Sequence, residues 1–430
     1  MNDNIPHGYK KTEIGIIPGD WEVKRLGEVF KILITASYSR SELSKKGSCL
    51  YIHYGDIHTN FQHFIDVKKA ELPTIDEYKT RNFPLVRNGD LIMVDASEDY
   101  EGIGKSVEVK NVNLRKIIAG LHTFLLRDKN QNFEDGYKGF IVNNKAVKNQ
   151  IEKLATGLKV YGVSKQNLKD ILIPLPPLSE QRAIEQVLYD FDNPIESLER
   201  IIAKKKAIKK GTMQKLLTGK KRLPGFSGKW VRKKMGEVAE ITSGQSAPQG
   251  KKFFKGSTHP FVRVQHITLH NKLVEPDYIT LEAVQKYKLK LFPKNSIILP
   301  KSGASIYQEK RALLPFECYV VSHLCVVLPS SKIDQKFLFY LLSIMKLAKS
   351  KGNDYPTLNL EELKEFKISF PPTLSEQRSI AKILSDMDAE IEALEQKKKK
   401  YEMMKKRAME LLLTGKIRIK EANNKIEAIK

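Results

Sequence analysis

The 430-residue chain contains an internal repeat in which one segment keeps a constant length. The run Leu-Ser-Glu-Gln-Arg at 178–182 returns at 374–378, and Leu-Leu-Thr-Gly-Lys at 216–220 returns at 412–416, both displaced by 196 positions. Each copy opens near a tryptophan, but the distance from that tryptophan to the Ser-Glu-Gln-Arg run differs between the copies. It is 158 positions from Trp21 in the first copy and 145 positions from Trp230 in the second. Such self-similarity predicts two structural copies, each a length-variable module followed by an element of fixed length.

The fixed-length segment is predicted to be a helix about 60 Å long, since it holds about 40 residues that rise ~1.5 Å each. Its apolar residues alternate in steps of three and four, which is the seam of a coiled coil. Ser179 and Ser375 are expected to be N-caps, and Gly219 and Gly415 are expected to end the helices. Pro194 lacks an amide hydrogen and is expected to kink or interrupt the first helix. The seam residues are Ile184, Leu188, Phe191, Ile195, Leu198 and Ile202 in the first copy, and Ile380, Leu384, Met387, Ile391, Leu394 and Tyr401 in the second.

Charge predicts how the two helices pair. In the first helix every acidic residue lies between Glu180 and Glu199, and nearly all basic residues follow from Arg200 onward. The second helix has the same polarity, so antiparallel pairing would place each acidic half against a basic half. The alternative, that the lysine runs are only solvated faces, does not explain why both helices share this polarity. An antiparallel coiled coil is therefore expected.

The two modules show short β-like runs punctuated by Gly, Asn and Ser, with helical stretches near their ends, which predicts α/β or α+β domains. We expect two such recognition domains separated by two long antiparallel coiled-coil helices, in an internal pseudo-twofold repeat. The predicted segments are 1–20, an N-terminal segment packing near the C-terminal helix; 21–178, the first module; 179–221, the central helix; 222–374, the second module; 375–416, the C-terminal helix; and 417–430, a tail.

The formal net charge of +24 favours a polyanionic partner, most often nucleic acid, over solubility alone. The first module carries a net charge of +5 and the second +12, so the basic excess lies in the modules and not in the helices. Three cysteines without a Cys-x-x-Cys pair, and the absence of a secretion signal or a long apolar run, predict a cytoplasmic protein without membrane contact.

Motifs for catalysis are poor in this sequence. Gly104-Lys105-Ser106 resembles the end of a phosphate loop, but Asp99 stands where the first glycine is required. Asp277 lacks the nearby lysine of metal-dependent nucleases, and no adenine-methylation motif or adenosylmethionine loop occurs. His122 and His323 fall at equivalent positions in later strands and are interpreted as structural. We therefore expect no catalytic residue and no metal site.

The opening Gly8-Tyr9-Lys10-Lys11 with Trp21, the Pro-Pro-Leu-Ser-Glu-Gln-Arg block and the Leu-Leu-Thr-Gly-Lys block together resemble the specificity subunit of type I restriction–modification enzymes. The resemblance covers essentially the whole chain and includes its doubled arrangement. It implies that each module reads one half of a split double-stranded DNA target and that the coiled coil sets the unread spacer. It also implies two methyltransferase subunits and restriction/translocase subunits as partners, with S-adenosylmethionine on the methyltransferase and no cofactor on this chain.

Polar residues in loops and at strand ends are the predicted base readers, because base edges are recognised through hydrogen bonds from such groups. In the first module they are Ser37, Tyr38, Arg40, His53, Tyr54, Asp56, Ser97, Tyr100 and Lys105. In the second they are Gln245, Ser246, Lys251, Lys252, Arg263, Gln265, His266, Ser302, Ser305 and Tyr307.

Three other functions were weighed: the variable module length beside a fixed helix length argues against the first, the second fails for want of motifs, and the third stays open on sequence grounds. A DNA-binding interaction scaffold without base reading would bind any sequence weakly and with strong salt dependence. A stand-alone nuclease or methylase would be active as the purified chain. A subunit of a fused or divergent modification system would have different partners.

Overall fold

The computed structural model describes residues 5–157, 160–256, 258–269, 271–347, 357–419 and 426–428. The chain divides into two compact units: unit 1 comprises Met1–Ser197 with Lys397–Lys430, and unit 2 comprises Leu198–Gln396. Each unit therefore combines one module with one half of each fixed-length segment.

The first module, within unit 1, is built from short strands and helices in an α+β arrangement. The N-terminal segment before it forms β1 (Tyr9–Thr12) and β2 (Gly15–Pro18). The strands of the module are β3 (Glu22–Arg25), β4 (Phe30–Leu33), β5 (Cys49–Ile52), β6 (Phe64–Asp66), β7 (Thr74–Ile75), β8 (Leu91–Val94), β9 (Ala96–Ser97), β10 (Ser106–Lys110), β11 (Ile117–Ala119), β12 (Thr123–Asp128), β13 (Tyr161–Gly162) and β14 (Leu172–Leu175). Its helices are α1 (Leu26–Val29), α2 (Tyr54–Asn60), α3 (Lys138–Ile141), α4 (Lys145–Leu154) and α5 (Lys165–Lys169).

Two sheets form the centre of this module. The larger has the order β4-β12-β8-β10-β6, in which only β10 and β6 are parallel. The smaller has the order β11-β5-β7, with β5 parallel to β11. A short antiparallel pair, β3 with β14, joins the start of the module to its end.

The second module, within unit 2, repeats this plan. Its strands are β15 (Val231–Lys234), β16 (Ala239–Ser243), β17 (His259–Val262), β18 (Asp277–Ile279), β19 (Ile297–Pro300), β20 (Ala312–Leu313), β21 (Tyr319–Val320), β22 (Leu324–Pro329) and β23 (Lys367–Phe370). The helices α6 (Leu178–Asp190) and α7 (Asp192–Leu216) precede this module, and its own helices are α8 (Leu281–Lys286), α9 (Gln335–Ile344) and α10 (Leu360–Lys364). The sheets have the orders β16-β22-β19-β20 and β18-β17-β21, and β15 pairs with β23 as β3 pairs with β14. The prediction of two mixed helix–strand modules is confirmed.

The central strands are buried on both faces, which explains their continuous apolar sequences. In β8, Leu91 and Met93 pack into one hydrophobic core of unit 1, while Ile92 and Val94 pack into another. Successive side chains of a strand point to opposite sides, so one strand serves two cores. In β19 the same alternation places Ile297 in one hydrophobic core of unit 2 and Ile298 in another.

The first fixed-length segment forms two helices, α6 (Leu178–Asp190) and α7 (Asp192–Leu216), which confirms the predicted interruption. Pro194 has no amide hydrogen for the carbonyl of Asp190, four positions earlier, and α6 ends at that residue. Pro194 then occupies the first turn of α7, where a helix has no partner for the amide hydrogen. The second segment is the uninterrupted helix α11 (Leu374–Leu412), and the chain continues with β24 (Ile417–Ile419) and β25 (Ile426–Ala428).

The prediction of where the helices stop is confirmed, and the prediction of their N-caps is wrong. Gly219 and Gly415 have φ angles of +71° and +67°, as expected of C-terminal stops. Ser179 and Ser375 are not N-caps, because α6 and α11 begin one residue earlier and both serines lie in the first turn. Pro177 is the N-cap of α6, and its carbonyl accepts from the Gln181 amide at 3.0 Å. Proline fixes φ near the value that this extended approach to the helix needs.

Ion pairs within each unit run in antiparallel order along the helices. In unit 2, Lys205 binds Glu390 at 2.6 Å and Lys206 binds Glu395 at 2.7 Å. Lys209, one turn farther along α7, binds Asp388 at 2.5 Å, which precedes both of those acids in α11. In unit 1, Lys405 of α11 binds Asp192 of α7 at 2.5 Å. These contacts match the charge argument and confirm the antiparallel pairing. Among the seam residues, Ile184, Leu188, Leu198, Ile202, Ile380, Leu384 and Ile391 are buried, and Phe191, Ile195, Met387, Leu394 and Tyr401 are half-buried.

Candidate nucleic-acid interface

Four strand ends of the first module meet at one edge, which we call edge 1. The parallel strands β5 and β11 end side by side at Ile52 and Ala119. In the other sheet β8 ends at Val94, opposite Thr123, the first residue of β12. The chain passes from β11 to β12 through residues 120–122 alone, so this short turn brings both sheets to edge 1.

The residues just beyond these strand ends contact one another. The Tyr54 ring lies 4.6 Å from the His53 ring and 5.3 Å from the His122 ring, centroid to centroid, and it is nearly perpendicular to the latter. Asp95 Oδ1 lies 3.3 Å from His122 Nδ1. Burial raises the pKa of Asp95 and the neighbouring His122 opposes this rise, while burial lowers the pKa of His53. Edge 1 is therefore a connected polar and aromatic surface.

Three further predicted residues follow β4 and reach the same edge. The Ala36 amide donates to the Ala119 carbonyl at 2.9 Å, which places Ser37 and Tyr38 beside the end of β11. Arg40 binds the buried carboxylate of Asp56 at 2.6 Å, and this hydrogen bond raises the pKa of Arg40. Asp56 thus anchors an arginine whose side chain is 58% exposed.

A cleft of about 610 Å³ beside edge 1 is lined by Tyr54, Ser97 and Lys105, so the structure brings these predicted residues together. Lys105 Nζ donates to the His58 carbonyl at 2.9 Å, and burial lowers the pKa of Lys105. Glu98, Asp99 and Glu101 also line the cleft, which makes it rich in hydrogen-bond acceptors. Tyr100 does not line it, and its exposed ring packs on Tyr161 at 3.9 Å.

The second module has the same edge, which we call edge 2. The parallel strands β17 and β21 end side by side at Val262 and Val320, and β19 ends at Pro300 opposite Leu324, the first residue of β22. The Gln245 amide donates to the Val320 carbonyl at 2.8 Å, as the Ala36 amide does to Ala119 in the first module. Gln245 and Ser246 therefore correspond to residues 36 and 37.

Arg263 is held by an acid and two aromatic rings at edge 2. Its Nε lies 2.6 Å from Asp277 Oδ2, and its guanidinium lies 5.2 Å from the centre of the Phe254 ring and 5.6 Å from that of Phe261. His266 Nε2 approaches the other Asp277 oxygen at 3.6 Å, and burial lowers the pKa of His266 while Asp277 opposes this effect. Rotation of the arginine is restricted on three sides.

The other predicted residues of the second module are spread along the same edge and its flank. Ser302 Oγ lies 2.6 Å from His323 Nδ1, and Ser305 Oγ donates to the Ser302 carbonyl at 3.1 Å. Lys252 binds Glu282 at 3.0 Å. These contacts gather Ser302 and Ser305 with His323, whereas the exposed residues Lys251, Gln265 and Tyr307 have no ion pair or ring contact among the described residues.

Burial divides the predicted residues into two groups. The first group is buried and contacts other protein groups rather than solvent. Its members are at most 6% exposed: His53, Asp56, Ser97 and His266. His53, for example, accepts from the Gly55 amide at 3.1 Å as the N-cap of α2. The exposed or half-buried residues can reach a ligand: Ser37, Tyr38, Arg40, Tyr54, Tyr100, Lys105, Gln245, Ser246, Lys251, Lys252, Arg263, Gln265, Ser302, Ser305 and Tyr307.

Sequence reasoning missed two residues that the edges place centrally, Asp95 and Lys301. They directly follow the central strands β8 and β19, and the similarity of these two strands was the available signal. The histidines were placed on strands, but His122 and His323 lie in the turns just before β12 and β22. Both contribute to the edges, so they do more than fill a core.

Two properties of the described residues bear on other functions. No helix among them is long and apolar enough to cross a membrane. Nor do they contain a group of three or more His, Cys, Asp or Glu side chains placed to hold a metal ion.

The fold and the two edges define a class of protein: a pair of similar recognition modules, each attached to one half of an antiparallel helix pair. The chain belongs to the family of type I restriction modification DNA specificity domains, whose family model matches residues 18–208 and 227–403. The family resemblance inferred from the repeated blocks is therefore confirmed.

Curated relatives agree with this assignment. The type I restriction enzyme MjaVIII specificity subunit of Methanocaldococcus jannaschii is 27% identical over 447 residues, which cover 95% of each chain. The MjaIX specificity subunit of the same organism is 25% identical over 85% of this chain and 86% of its own. The crystal structure of a type I restriction-modification S subunit from M. genitalium has the same fold, with a TM-score of 0.56 and 14% identity over 96% of this chain and 97% of that one.

Proposed function

We propose that this chain is the specificity subunit of a type I restriction–modification complex and that each module reads one half of a bipartite double-stranded DNA target. The observation that carries the proposal is the pair of edges: two modules present the same strand ends with different side chains. One module would read only a few base pairs, and two joined modules multiply their selectivity.

The helix pair sets the unread spacer between the two halves of the target. Its constant length in both copies, beside modules of unequal length, supports this role. Two half-sites at a fixed separation require a fixed distance between the modules that read them.

Catalysis is assigned to partners. Two methyltransferase subunits dock on the chain, restriction/translocase subunits join them, and S-adenosylmethionine binds the methyltransferase. The sequence supports this division, because it holds no methylation motif and no adenosylmethionine loop.

Base reading falls to the exposed and half-buried residues at edges 1 and 2, among them Arg40, Tyr54, Gln245, Arg263 and Ser302. Phosphate contacts come from Lys and Arg side chains beside the edges, since phosphate binding gives affinity without sequence information. Three buried residues orient side chains that they contact: His53 contacts Tyr54, Asp56 binds Arg40, and His266 accepts from the Arg263 amide.

Co-expression with the cognate methyltransferase in a methylation-free host, followed by genome-wide mapping of modified adenines, tests the proposal. We expect a split motif with a constant unread gap that disappears when the chain is omitted. Methylation that is continuous in sequence, or unchanged without this chain, would reject it. Equal binding to all DNA sequences would instead favour the interaction scaffold.

A further inference from the structure

Asp95 and Lys301 occupy the same structural position in the two modules. Asp95 follows the central strand β8, and its amide donates to the His122 carbonyl at 3.2 Å. Lys301 follows β19, and its amide donates to the His323 carbonyl at 3.0 Å.

A second backbone hydrogen bond also occurs at both positions. The Asp95 carbonyl accepts from the Val163 amide at 3.0 Å, and the Lys301 carbonyl accepts from the Leu358 amide at 2.7 Å. Both the amide and the carbonyl group of each residue are hydrogen-bonded, so the backbone holds the Cα atom of the residue in a defined position at the edge.

The two side chains differ in charge and in hydrogen-bonding capacity. Asp95 Oδ1 is buried beside His122 Nδ1, yet the whole side chain keeps 27% exposure, so the accessible part of the carboxylate includes Oδ2. That oxygen can only accept while the group is ionised. Lys301 is half-buried, and its ammonium can only donate.

DNA offers these two groups different partners. A carboxylate is repelled by phosphates, so its favourable contacts at a DNA surface are the exocyclic amino groups of cytosine and adenine in the major groove. A lysine ammonium is attracted by phosphate and, at base edges, by guanine O6 and N7.

We propose that this shared position determines specificity in both modules: Asp95 selects a base with an exocyclic amino group, adenine or cytosine, in one half-site, and Lys301 selects guanine in the other. The inference rests on the proposed function and adds the base chemistry at one position of each half. His122 acts as a positioning residue, because its Nδ1 lies 3.3 Å from the buried Oδ1.

The test uses the complete complex in a methylation-free host and maps modified adenines for four variants. Asp95→Asn keeps the shape of the side chain but replaces one acceptor by a donor, and Lys301→Met removes the donors. The exposed residues Asp76, which follows β7 beside the start of β5 and away from edge 1, and Lys294 supply the matched controls Asp76→Asn and Lys294→Met.

We expect Asp95→Asn to lower the preference at one base position of one half-site by about 10- to 100-fold, as a good base contact provides. The other half-site and the gap should be unchanged. Lys301→Met should do the same at one position of the opposite half-site, and the controls should keep the wild-type motif.

A wild-type motif in both test variants, or equal loss of methylation at every sequence, would overturn the inference while leaving the split motif of the wild type intact. Absence of a split motif in the wild type would instead reject the proposed function. Where a variant does not accumulate as folded protein, Asp95→Ser and Lys301→Gln are scored by the same criteria.

Discussion

Arg418 binds Glu180 through two parallel hydrogen bonds, Nε to Oε1 and Nη2 to Oε2, both 2.7 Å long, across 238 positions of the sequence. Glu180 is buried, and its Oε2 also accepts from Trp21 Nε1 at 2.8 Å. The repeat reproduces this pair in unit 2, where Arg222 binds the buried Glu376 at 2.6 Å through the same two atoms. In each unit, the arginine that follows one helix thus fixes the start of the other.

Loss of the arginine in unit 1 should destabilise the protein strongly. Arg418→Met leaves the Glu180 carboxylate buried without its charged partner, which costs about 3–5 kcal/mol of unfolding free energy. Urea denaturation of the purified chain measures this loss. The control is Arg25→Met, because Arg25 and Asp170 form an ion pair in which both side chains are 57% exposed and which contributes about 1 kcal/mol or less. Equal losses in the two variants would contradict the prediction.

Charge reversal tests the helix pairing within unit 1. Lys405 is 10% exposed in its side chain and binds Asp192 at 2.5 Å. Lys405→Glu and Asp192→Lys should each lower the melting temperature because each places like charges together. The double variant restores opposite charges and should recover more than half of the summed loss, as measured by thermal unfolding. Simple additivity of the two losses would show that the pair is not coupled.

His63 makes stability depend on pH. Burial, with Lys405 nearby, lowers the pKa of His63 to about 3, and its Nδ1 lies 3.2 Å from the Gly139 carbonyl. Between that pKa and the unfolded value of about 6.5, only the unfolded chain binds the proton. Stability should therefore fall as pH drops below about 6.5, by at most ~1.4 kcal/mol per pH unit from this group.

The measurement is the unfolding free energy at pH 7, 6 and 5 in the wild type and in His63→Asn. Asparagine keeps a donor for the Gly139 carbonyl but does not titrate, so its pH slope should be smaller. His7→Asn, at the exposed N-terminal segment, is the control. Parallel slopes for the wild type and His63→Asn would refute the role of His63.

Arg40 and Arg263 should affect different halves of the target. Each is oriented by an acid, Asp56 or Asp277, at its own edge. With the assembled complex at constant salt, Arg263→Ala should lower the preference for one half-site by about 10- to 100-fold, and Arg40→Ala should lower the preference for the other. The preference for each half-site is measured by competition between the intact DNA duplex and duplexes in which one half-site is scrambled. An equal loss on every duplex after Arg263→Ala would assign Arg263 to phosphate.

A further variant separates base reading from an uncompensated charge. Arg263→Ala leaves Asp277 without its ion pair, and Asp277 then repels DNA whatever the sequence. The double variant Arg263→Ala with Asp277→Asn removes this effect. The loss of half-site preference should persist in the double variant, with the helix signal in circular dichroism unchanged.

Local pattern was enough to predict several features of the structure. The heptad steps predicted the long helices, Pro194 predicted the break that separates α6 from α7, and the acidic and basic halves predicted the antiparallel order seen in Lys205–Glu390 and Lys209–Asp388. Where the pattern was ambiguous by one residue, as at Ser179, the prediction of the cap was wrong because Pro177 already ends the extended segment.

Other features depended on the tertiary structure. Asp95 and His122 are 27 positions apart and meet only because β8 pairs with β12, and Asp95 corresponds to Lys301 only through their backbone contacts. The repeat, the helices and their polarity could be predicted from the amino-acid order alone, because periodicity and charge order act over a few turns of a helix. Which strand ends meet, and which side chains lie there buried or exposed, was decided by the packing of distant strands, because pairing register is set by the buried faces of the whole sheet.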